Sequence, residues 1–207
     1  MRFYKFCKTL ITSIIKFMFR IEIVNFENEP KGRPVLVCAN HFSNWDPLIL
    51  VACMDAPMHF MGKIELFKIP ILSLILKSAG AFPVTRSGVD IASIKTAIAY
   101  LKGGENVCMF PQGKRYASMP LRETEVKSGV GMVVMRAEAD ILPVAIVTDG
   151  NKIRPFKKVK VVIGEPVDFS RFADTEKTKD GYNAISQTVF ENICRLSESC
   201  EETKTLR

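Results

Sequence analysis

Residues 35–50, with the sequence VLVCANHFSNWDPLIL, constrain the fold more than any other stretch of this chain. Val35 to Ala39 form an apolar, partly β-branched run that predicts a short buried strand. Residues 40–46 are polar and predict a turn, and the apolar run after them predicts a helix with Asp46 as its N-cap and Pro47 at its first position. Because open α/β sheets usually bind ligands at strand ends, this turn is the first candidate for a functional site.

The turn contains His41 five residues before Asp46. On an unbroken helix that spacing would set the two side chains about 140° apart, so they can meet only across a turn. A histidine hydrogen-bonded to a carboxylate is a general base for an alcohol, and the nucleophile is then a substrate hydroxyl. Ser43 either orders the turn or supplies a hydroxyl of its own. From these residues alone, the favoured interpretation is structural, with Asp46 capping the helix and His41 bonded to backbone.

A family resemblance changes that balance. The turn reads NHxSxxDP, which resembles the signature of the glycerolipid acyltransferases, the family of 1-acyl-sn-glycerol-3-phosphate (lysophosphatidic acid) acyltransferases. Three further stretches resemble the family's other blocks and follow in its order: Gly80 to Arg86 (GAFPVTR), Phe110 to Arg115 (FPQGKR) and Ile141 to Ile146 (ILPVAI). The resemblance covers about half of the chain, and its blocks are more specific for the superfamily than for the substrate.

The resemblance implies transfer of an acyl group from a thioester to the sn-2 hydroxyl of lysophosphatidic acid, giving phosphatidic acid for phospholipid biosynthesis. It implies His41 as base and Asp46 as the carboxylate that orients it. Arg86, Lys114 and Arg115 would hold the acceptor phosphate, since a guanidinium binds phosphate with two parallel hydrogen bonds. Gly113 would permit close backbone approach. No cofactor is implied, and the co-substrate would be acyl-CoA or acyl-acyl-carrier-protein.

Three positions depart from the family pattern. Gln112 replaces a glutamate; its amide can bind an acceptor hydroxyl or order the loop, but it carries no charge and accepts no proton. Lys114 replaces a small hydroxyl residue and adds positive charge beside Arg115, which favours phosphate binding. Thr85 stands where many relatives carry an acid.

Lys127 is a further candidate for anion binding, and its evidence is local. Ser128 predicts the N-cap of a helix that runs to about Glu138, so the free N–H groups of that helix would lie beside the Lys127 ammonium. A solvated loop lysine is the alternative.

The N-terminal residues predict a helix that lies on a membrane. Residues 1–20 carry five basic side chains and no acid, with Phe, Ile and Leu at helical spacing. Because Lys8 and Lys16 interrupt the apolar run well short of the ~20 residues that a span needs, the helix should bind the interface of a bilayer. A signal peptide and a helix packed on its own domain are the alternatives. We therefore expect residues 1–22 to be an interfacial helix, residues 23–200 an acyltransferase domain, and the protein to be peripheral on the cytoplasmic face of the cell membrane.

Composition limits the remaining classes. The chain has 207 residues, 47% of them hydrophobic, which is enough for one domain with its own core. Its net charge of +7 suits an acidic partner such as an anionic membrane or a phosphorylated lipid. No nucleic-acid motif is present, so nucleic acid ranks last. Six cysteines without CxxC spacing fit a reducing cytosol, and only two histidines, with no suitable ligand spacing, argue against a metal site.

The order of predicted elements indicates an α/β fold, a mixed sheet with helices on both faces. Pro143 argues that residues 141–146 form an edge strand or the start of one. The segments predicted as strands are 21–25, 35–39, 57–62, 106–110, 141–146 and 158–164, with one more strand between Gly80 and Arg86. Those predicted as helices are 48–54, 65–78 with a kink or restart at Pro70, 90–101, 129–138 and 182–195.

Three other functions remain open at this point. A member of the same family could use glycerol-3-phosphate, another lysolipid or an ornithine-type lipid as acceptor. The protein could instead bind membrane lipids without catalysis, which is suggested by Gln112 in place of the family's glutamate. A thioester hydrolase is disfavoured, because no activated protein nucleophile is evident.

Overall fold

In the computed structural model the described residues are 2–78, 80–84 and 91–205, with side chains described throughout except at 2–7, 72 and 201–205. The strands are β1 (Arg20–Val24), β2 (Val35–Ala39), β3 (Met58–Lys63), β4 (Ala81–Val84), β5 (Asn106–Met109), β6 (Asp140–Thr148) and β7 (Lys158–Ile163). The helices are α1 (Arg2–Met18), α2 (Asp46–Cys53), α3 (Pro70–Ser78), α4 (Ile91–Lys102), α5 (Gly129–Ala137) and α6 (Lys179–Thr205). Short 3-10 turns lie between them, among them residues 64–68 and 121–123.

The described strands form one seven-stranded mixed sheet in the order β1-β7-β6-β2-β5-β3-β4. The neighbours from β6 to β4 pair in parallel, whereas β7 runs antiparallel to β6 and carries β1 parallel to itself. The parallel strands therefore end together at one edge of the sheet. Their carboxyl ends lead into the polar segments in which the sequence predicts the site.

Helices cover both faces of the sheet, as the sequence predicts. In β2 every residue is buried, and alternate side chains enter opposite cores: Val35, Val37 and Ala39 pack toward α1 and α2, while Leu36 and Cys38 pack toward α4, α5 and α6. A fully buried aliphatic side chain contributes about 1.5–3 kcal/mol to stability relative to an exposed one. The continuous apolar run is thus explained by burial on two sides.

The connections after β2 and β5 leave these adjacent strands toward opposite faces. The chain leaving β2 enters α2, on the same face as α1, whereas the chain leaving β5 reaches α5 on the other face. Two neighbouring parallel strands with diverging connections leave a crevice between their carboxyl ends. His41 and Gln112 follow these two strands.

Three local predictions need correction. Pro143 lies inside a central strand, because the antiparallel pairing of β6 with β7 begins only at Val144 and the ring therefore displaces no bond of that ladder. Helix α2 starts at Asp46 itself, and the carboxylate turns back toward the preceding turn. Helix α6 begins earlier than predicted and continues to Thr205, so the acidic and basic tail is helical.

Candidate active site

The turn after β2 is tied to the sheet by Asn40. The side chain of Asn40 is fully buried; its Nδ2 donates to the carbonyl of Ile146 (2.9 Å), and its Oδ1 accepts from the Ile146 N–H (2.7 Å). Both groups of the amide are therefore paired with one residue of the neighbouring strand β6. This contact fixes where the turn leaves the sheet.

His41 and Asp46 meet across the turn. His41 Nδ1 lies 2.6 Å from Asp46 Oδ2, with the Asp46 side chain fully buried and the His41 side chain 12% exposed. The same oxygen accepts the backbone N–H groups of Phe42 (2.7 Å) and Ser43 (2.8 Å). Asp46 thus orders the turn and orients the imidazole with a single oxygen. Because Nδ1 donates to the carboxylate, the lone pair of the neutral ring is on Nε2.

The imidazole is held by a second strand end as well. Its ring stacks on Phe110, with centroids 4.0 Å apart. The His41 N–H donates to Gln112 Oε1, and the His41 carbonyl accepts from the Tyr116 N–H (2.9 Å). The loop after β5 therefore grips the main chain of His41 on both sides.

A cavity of about 750 Å³ opens at this edge of the sheet, and His41 lines it. Its polar rim carries several cations, and its walls are apolar. The cations are Lys63, Lys114, Lys127 and Lys179, and the apolar walls include Met61, Val84, Ile94, Met109, Val126 and Met132. A charged mouth over an apolar interior suits a molecule with an anionic head and a long chain.

The predicted anion site contains an acid that the sequence argument missed. Glu125 accepts from Lys127 Nζ (2.8 Å) and lies 3.7 Å from Lys114 Nζ. The Lys127 hydrogen bond, and then the charge of Lys114, lower the pKa of Glu125. The Lys114 ammonium lies 4.7 Å from the ring centroid of Tyr116. The contact with Tyr116, and then the charge of Glu125, raise the pKa of Lys114. The two lysines therefore share one carboxylate.

The other predicted site residues fall in different places. Gly113 adopts a positive φ of 66°, and a Cβ there would meet Lys127 Cγ at 3.1 Å, so the loop fits glycine. The Gly113 N–H donates to the Phe110 carbonyl (3.0 Å) and is thus committed within the loop. Arg115 donates to Asn44 of the turn and is not among the described residues that line the cavity. Arg86 lies outside the described residues.

Gln112 borders the cavity, but both ends of its side-chain amide are bonded within the protein. It is fully buried, with Oε1 bonded to His41 and Nε2 donating to Thr124 Oγ1 (2.8 Å). Of the two roles that the sequence allows, this geometry favours ordering of the loop.

Neither Cys108 nor Ser43 is set up as a protein nucleophile. Cys108 borders the cavity, but burial raises the pKa of its thiol to about 12, so the thiol is neutral. Ser43 Oγ accepts from the Trp45 N–H (3.3 Å), which is a role in the turn. The geometry of His41 and Asp46 therefore suits an acid–base pair for a hydroxyl brought by a ligand.

Sequence reasoning missed Lys63, Glu125 and Thr124. Lys63 is the last residue of β3, which lies beside β5 in the sheet. Its place at the carboxyl end of a predicted strand is a signal that could have identified it. Glu125 and Thr124 lie in a polar loop whose pattern carries no comparable signal. Their contacts exist only because the loop folds back over the turn.

Comparison with known proteins shows which family the chain belongs to. A family model described as Acyltransferase matches residues 20–147. The 1-acyl-sn-glycerol-3-phosphate acyltransferase of Bacillus subtilis (strain 168) is 31% identical over 202 residues, which cover 94% of this chain and 99% of that protein. A Streptococcus pneumoniae protein of the same name is 28% identical over 173 residues, 81% of this chain and 62% of its own.

A solved structure also matches the fold. The crystal structure of the 1-acyl-sn-glycerophosphate (LPA) acyltransferase PlsC from Thermotoga maritima aligns with a TM-score of 0.71 at 26% sequence identity. The alignment covers 97% of this chain and 78% of the other. The likeness therefore extends over the whole sheet and both helical layers.

Proposed function

We propose that this chain, which belongs to the Acyltransferase family and is an acyltransferase, transfers an acyl group from a thioester to the sn-2 hydroxyl of lysophosphatidic acid. The product is phosphatidic acid. The observation that carries the proposal is the pair of His41 Nδ1 and Asp46 Oδ2, 2.6 Å apart at the mouth of a cavity with a cationic rim and apolar walls. The names of the relatives support the choice of acceptor.

His41 is the general base of the proposed reaction. Its Nε2 removes the proton of the acceptor hydroxyl as the oxygen attacks the thioester carbonyl, while Asp46 holds the ring and stabilises the imidazolium. A carbon–oxygen bond forms, the tetrahedral oxyanion collapses, and the carbon–sulfur bond breaks. The imidazolium then returns its proton to the departing thiolate. The charge on the oxyanion must be stabilised by preorganised hydrogen-bond donors. The Gly113 N–H is not proposed as one of them, because it already donates to the Phe110 carbonyl.

The acceptor phosphate is proposed to bind at the rim of the cavity. Lys63, Lys114 and Lys127 supply positive charge there, and Arg86 and Arg115 remain proposed phosphate ligands from the family blocks. The apolar walls accommodate acyl chain, since methionine and aliphatic side chains exclude water from the reacting bond. Both acyl-CoA and acyl-acyl-carrier-protein present the same thioester to this site.

The main experiment measures phosphatidic acid by mass spectrometry. Purified protein bound to liposomes receives lysophosphatidic acid with palmitoyl-CoA or with palmitoyl-acyl-carrier-protein, alongside His41→Ala. We expect product from the wild type with at least one donor and none above background from the variant. If the protein acylates glycerol-3-phosphate or another lysolipid but not lysophosphatidic acid, that molecule is the acceptor instead of lysophosphatidic acid. Free fatty acid without transfer would indicate a hydrolase, and unchanged activity in His41→Ala would remove the proposed base.

We further propose that the protein binds the cytoplasmic face of the cell membrane as a peripheral protein. Helix α1 packs one stripe against the domain, with Ile11 and Ile15 buried and Phe19 buried just after the helix, and exposes another stripe that contains Phe17 (79% exposed). The helix is thus packed on its own domain, and its exposed apolar stripe supports the proposal that it also binds a membrane. None of the helices within the described ranges is long and apolar enough to cross a bilayer.

Helix α3 extends the proposed membrane surface. It contacts α1 and exposes Ile71 (76%) and Leu74 (60%), with Lys77 exposed on the same helix. It follows Lys63, which lines the cavity, by one 3-10 turn. A lipid acceptor could then pass from the leaflet to the cavity rim over a short path, while lysines contact anionic headgroups.

Liposome sedimentation tests this surface. We expect Phe17→Ser with Ile71→Ser to release the protein from vesicles that contain anionic phosphatidylglycerol. Ile91→Ser is the matched control, because Ile91 is 59% exposed on α4, across the sheet. Equal binding of the double variant and the control would contradict the proposed surface.

A further inference from the structure

The loop after β5 contains a chain of hydrogen bonds in which every direction is defined. The His41 N–H donates to Gln112 Oε1, Gln112 Nε2 donates to Thr124 Oγ1 (2.8 Å), and the Thr124 hydroxyl donates to the Leu121 carbonyl (2.8 Å). Gln112 is fully buried and Thr124 nearly so, at 8% exposure. Water is therefore a poor substitute for any of these partners.

Thr124 and the His41 N–H together fix which way the Gln112 amide points. Its proton is committed to Leu121, so its oxygen offers lone pairs to Gln112 and prefers the amide NH2 over the amide oxygen. That choice turns Oε1 toward the His41 N–H. The reversed amide would place an NH2 group against an N–H and leave two buried donors facing each other.

We propose that Thr124 is a positioning residue for acyl transfer, because its hydroxyl orients the Gln112 amide and the amide holds the main chain of His41. Thr124 is not one of the described residues that line the cavity, so it acts through Gln112 and touches no substrate. The inference rests on the proposed function only for its kinetic consequence. The hydrogen bonds themselves are a property of the free protein.

The far end of this chain of bonds is fixed to the last helix. Arg122, next to Leu121, donates to Glu191 and Glu198 of α6. These three side chains are about half exposed, so solvent screens the pairs, but the forked geometry locates the loop. The Leu121 carbonyl is thus held where it accepts the hydrogen bond from the Thr124 hydroxyl.

Thr124→Val and Thr124→Ser form the matched test. Valine has the shape of threonine without the hydroxyl, and serine keeps the hydroxyl. We expect Thr124→Val to lower kcat about tenfold with little change in KM for the thioester, and Thr124→Ser to restore most of the loss. Where Thr124→Val does not fold, Thr124→Ala against Thr124→Ser gives the same comparison.

A second readout needs no substrate. Hydrogen exchange of the His41 amide, followed by NMR, reports the bond to Gln112 directly. We expect exchange about tenfold faster in Thr124→Val than in wild type, with Thr124→Ser close to wild type. Melting temperatures measured in parallel separate this local effect from global loss of stability.

Gln112→Glu provides a rescue that a merely structural threonine would not show. A carboxylate has an acceptor at both ends, so the His41 N–H keeps a partner without help from Thr124. In the Gln112→Glu background, Thr124→Val should therefore cost much less kcat than in wild type, which is a non-additive cycle. Additive losses would overturn the inference.

Three further outcomes separate this inference from the proposed function. A wild type that makes no phosphatidic acid from either donor overturns the proposed acceptor and leaves the exchange test intact. A His41 amide that exchanges equally in Thr124→Val and wild type overturns the positioning role, whatever the activity. Equal kcat loss in Thr124→Val and Thr124→Ser overturns it as well.

Discussion

The turn at residues 40–46 and the basic loop at residues 113–127 border the same cavity but are built in opposite ways. In the turn, Asn40 and Asp46 are fully buried and bonded to specific main-chain groups. In the loop, the side chains of Lys114, Lys127 and Glu125 are more than half exposed. Glu125 Oε2 lies 2.8 Å from Lys127 Nζ and 3.7 Å from Lys114 Nζ. One region fixes geometry and the other supplies adjustable charge.

The difference follows from what each step of acyl transfer needs. Proton transfer depends steeply on distance and angle, so the base must be held by buried bonds that leave it one orientation. Binding a phosphate depends mainly on net positive charge, which flexible lysines provide in many arrangements. Substitutions in the turn should therefore change kcat or stability strongly, while substitutions in the loop should change KM by small factors.

The largest expected effect is that of Asp46→Asn on kcat. The amide oxygen can still accept the N–H groups of Phe42 and Ser43 and the Nδ1–H of His41, but the neutral amide no longer stabilises the imidazolium that forms during proton transfer. We expect kcat to fall by about 10³- to 10⁴-fold with near-normal folding, measured by steady-state kinetics and circular dichroism. A fall of less than about tenfold would mean that the pair does not act as base and orienting group.

Ser43→Ala is the control for the same turn. The main-chain N–H that bonds Asp46 is kept, and only the weak contact of Ser43 Oγ with Trp45 is lost. Activity should stay within about twofold of wild type. A loss as large as that of His41→Ala would instead identify Ser43 as the nucleophile.

Asn40→Ala should produce the largest loss of stability. It leaves the N–H and carbonyl of Ile146 without their buried side-chain partners, which costs about 2–4 kcal/mol. Urea unfolding measures the change. Asn28→Ala is a milder comparison, because that side chain makes a single described bond, to the Ile163 carbonyl. Equal losses would show that burial of the turn is not what distinguishes the two positions.

Substitutions of the loop lysines should act on binding. Lys114→Ala and Lys127→Ala should each raise KM for lysophosphatidic acid about two- to fivefold with kcat nearly unchanged, and the effect should shrink at high salt. Lys102→Ala is a matched exposed lysine at the end of α4, outside the described cavity lining, and should leave KM unchanged. A kcat effect without a KM effect would place these lysines in the chemical step.

Glu125→Gln should give the smallest effect and the opposite sign. Removing the carboxylate frees both lysines for phosphate, so KM should fall by about twofold. The hydrogen bond from Lys127, and then the charge of Lys114, lower the pKa of Glu125 below the ordinary pKa of a glutamate. Glu125 of the wild type is therefore ionised near neutral pH. The KM ratio of variant to wild type should therefore be constant from pH 6 to pH 8. A ratio that approaches one toward pH 6 would contradict that ionisation.

Most of the fold was predictable from local pattern. The buried strand at residues 35–39, the restart at Pro70 and the amphipathic α4 all follow from periodicity and turn chemistry, and the structure has them within one or two residues. The position of Pro143 was not predictable, because it depends on where the antiparallel pairing of a distant strand begins. The length of α6 was missed because most residues after Arg195 are polar, so the apolar periodicity that marks a helix fades there.

The candidate site divides in the same way. His41 and Asp46 are five residues apart, so sequence pattern and family resemblance could single them out together. The roles of Gln112, Thr124 and Glu125 depend on contacts across a folded loop, and Gln112 reaches His41 over 71 residues of sequence. Sequence alone allowed Gln112 to face a ligand or to order the loop, and the buried hydrogen bonds favour the second.

By itself, the sequence determined the family and the α/β class, and it singled out the pair of residues that is proposed to carry the chemistry, because each of these depends on local spacing. The tertiary structure alone decided how that pair is held. Strand order brings β2 and β5 side by side, the loop after β5 closes over the turn, and burial turns neutral amide and hydroxyl groups into fixed partners. Such contacts join residues far apart in the chain, and no local pattern encodes which of them will meet.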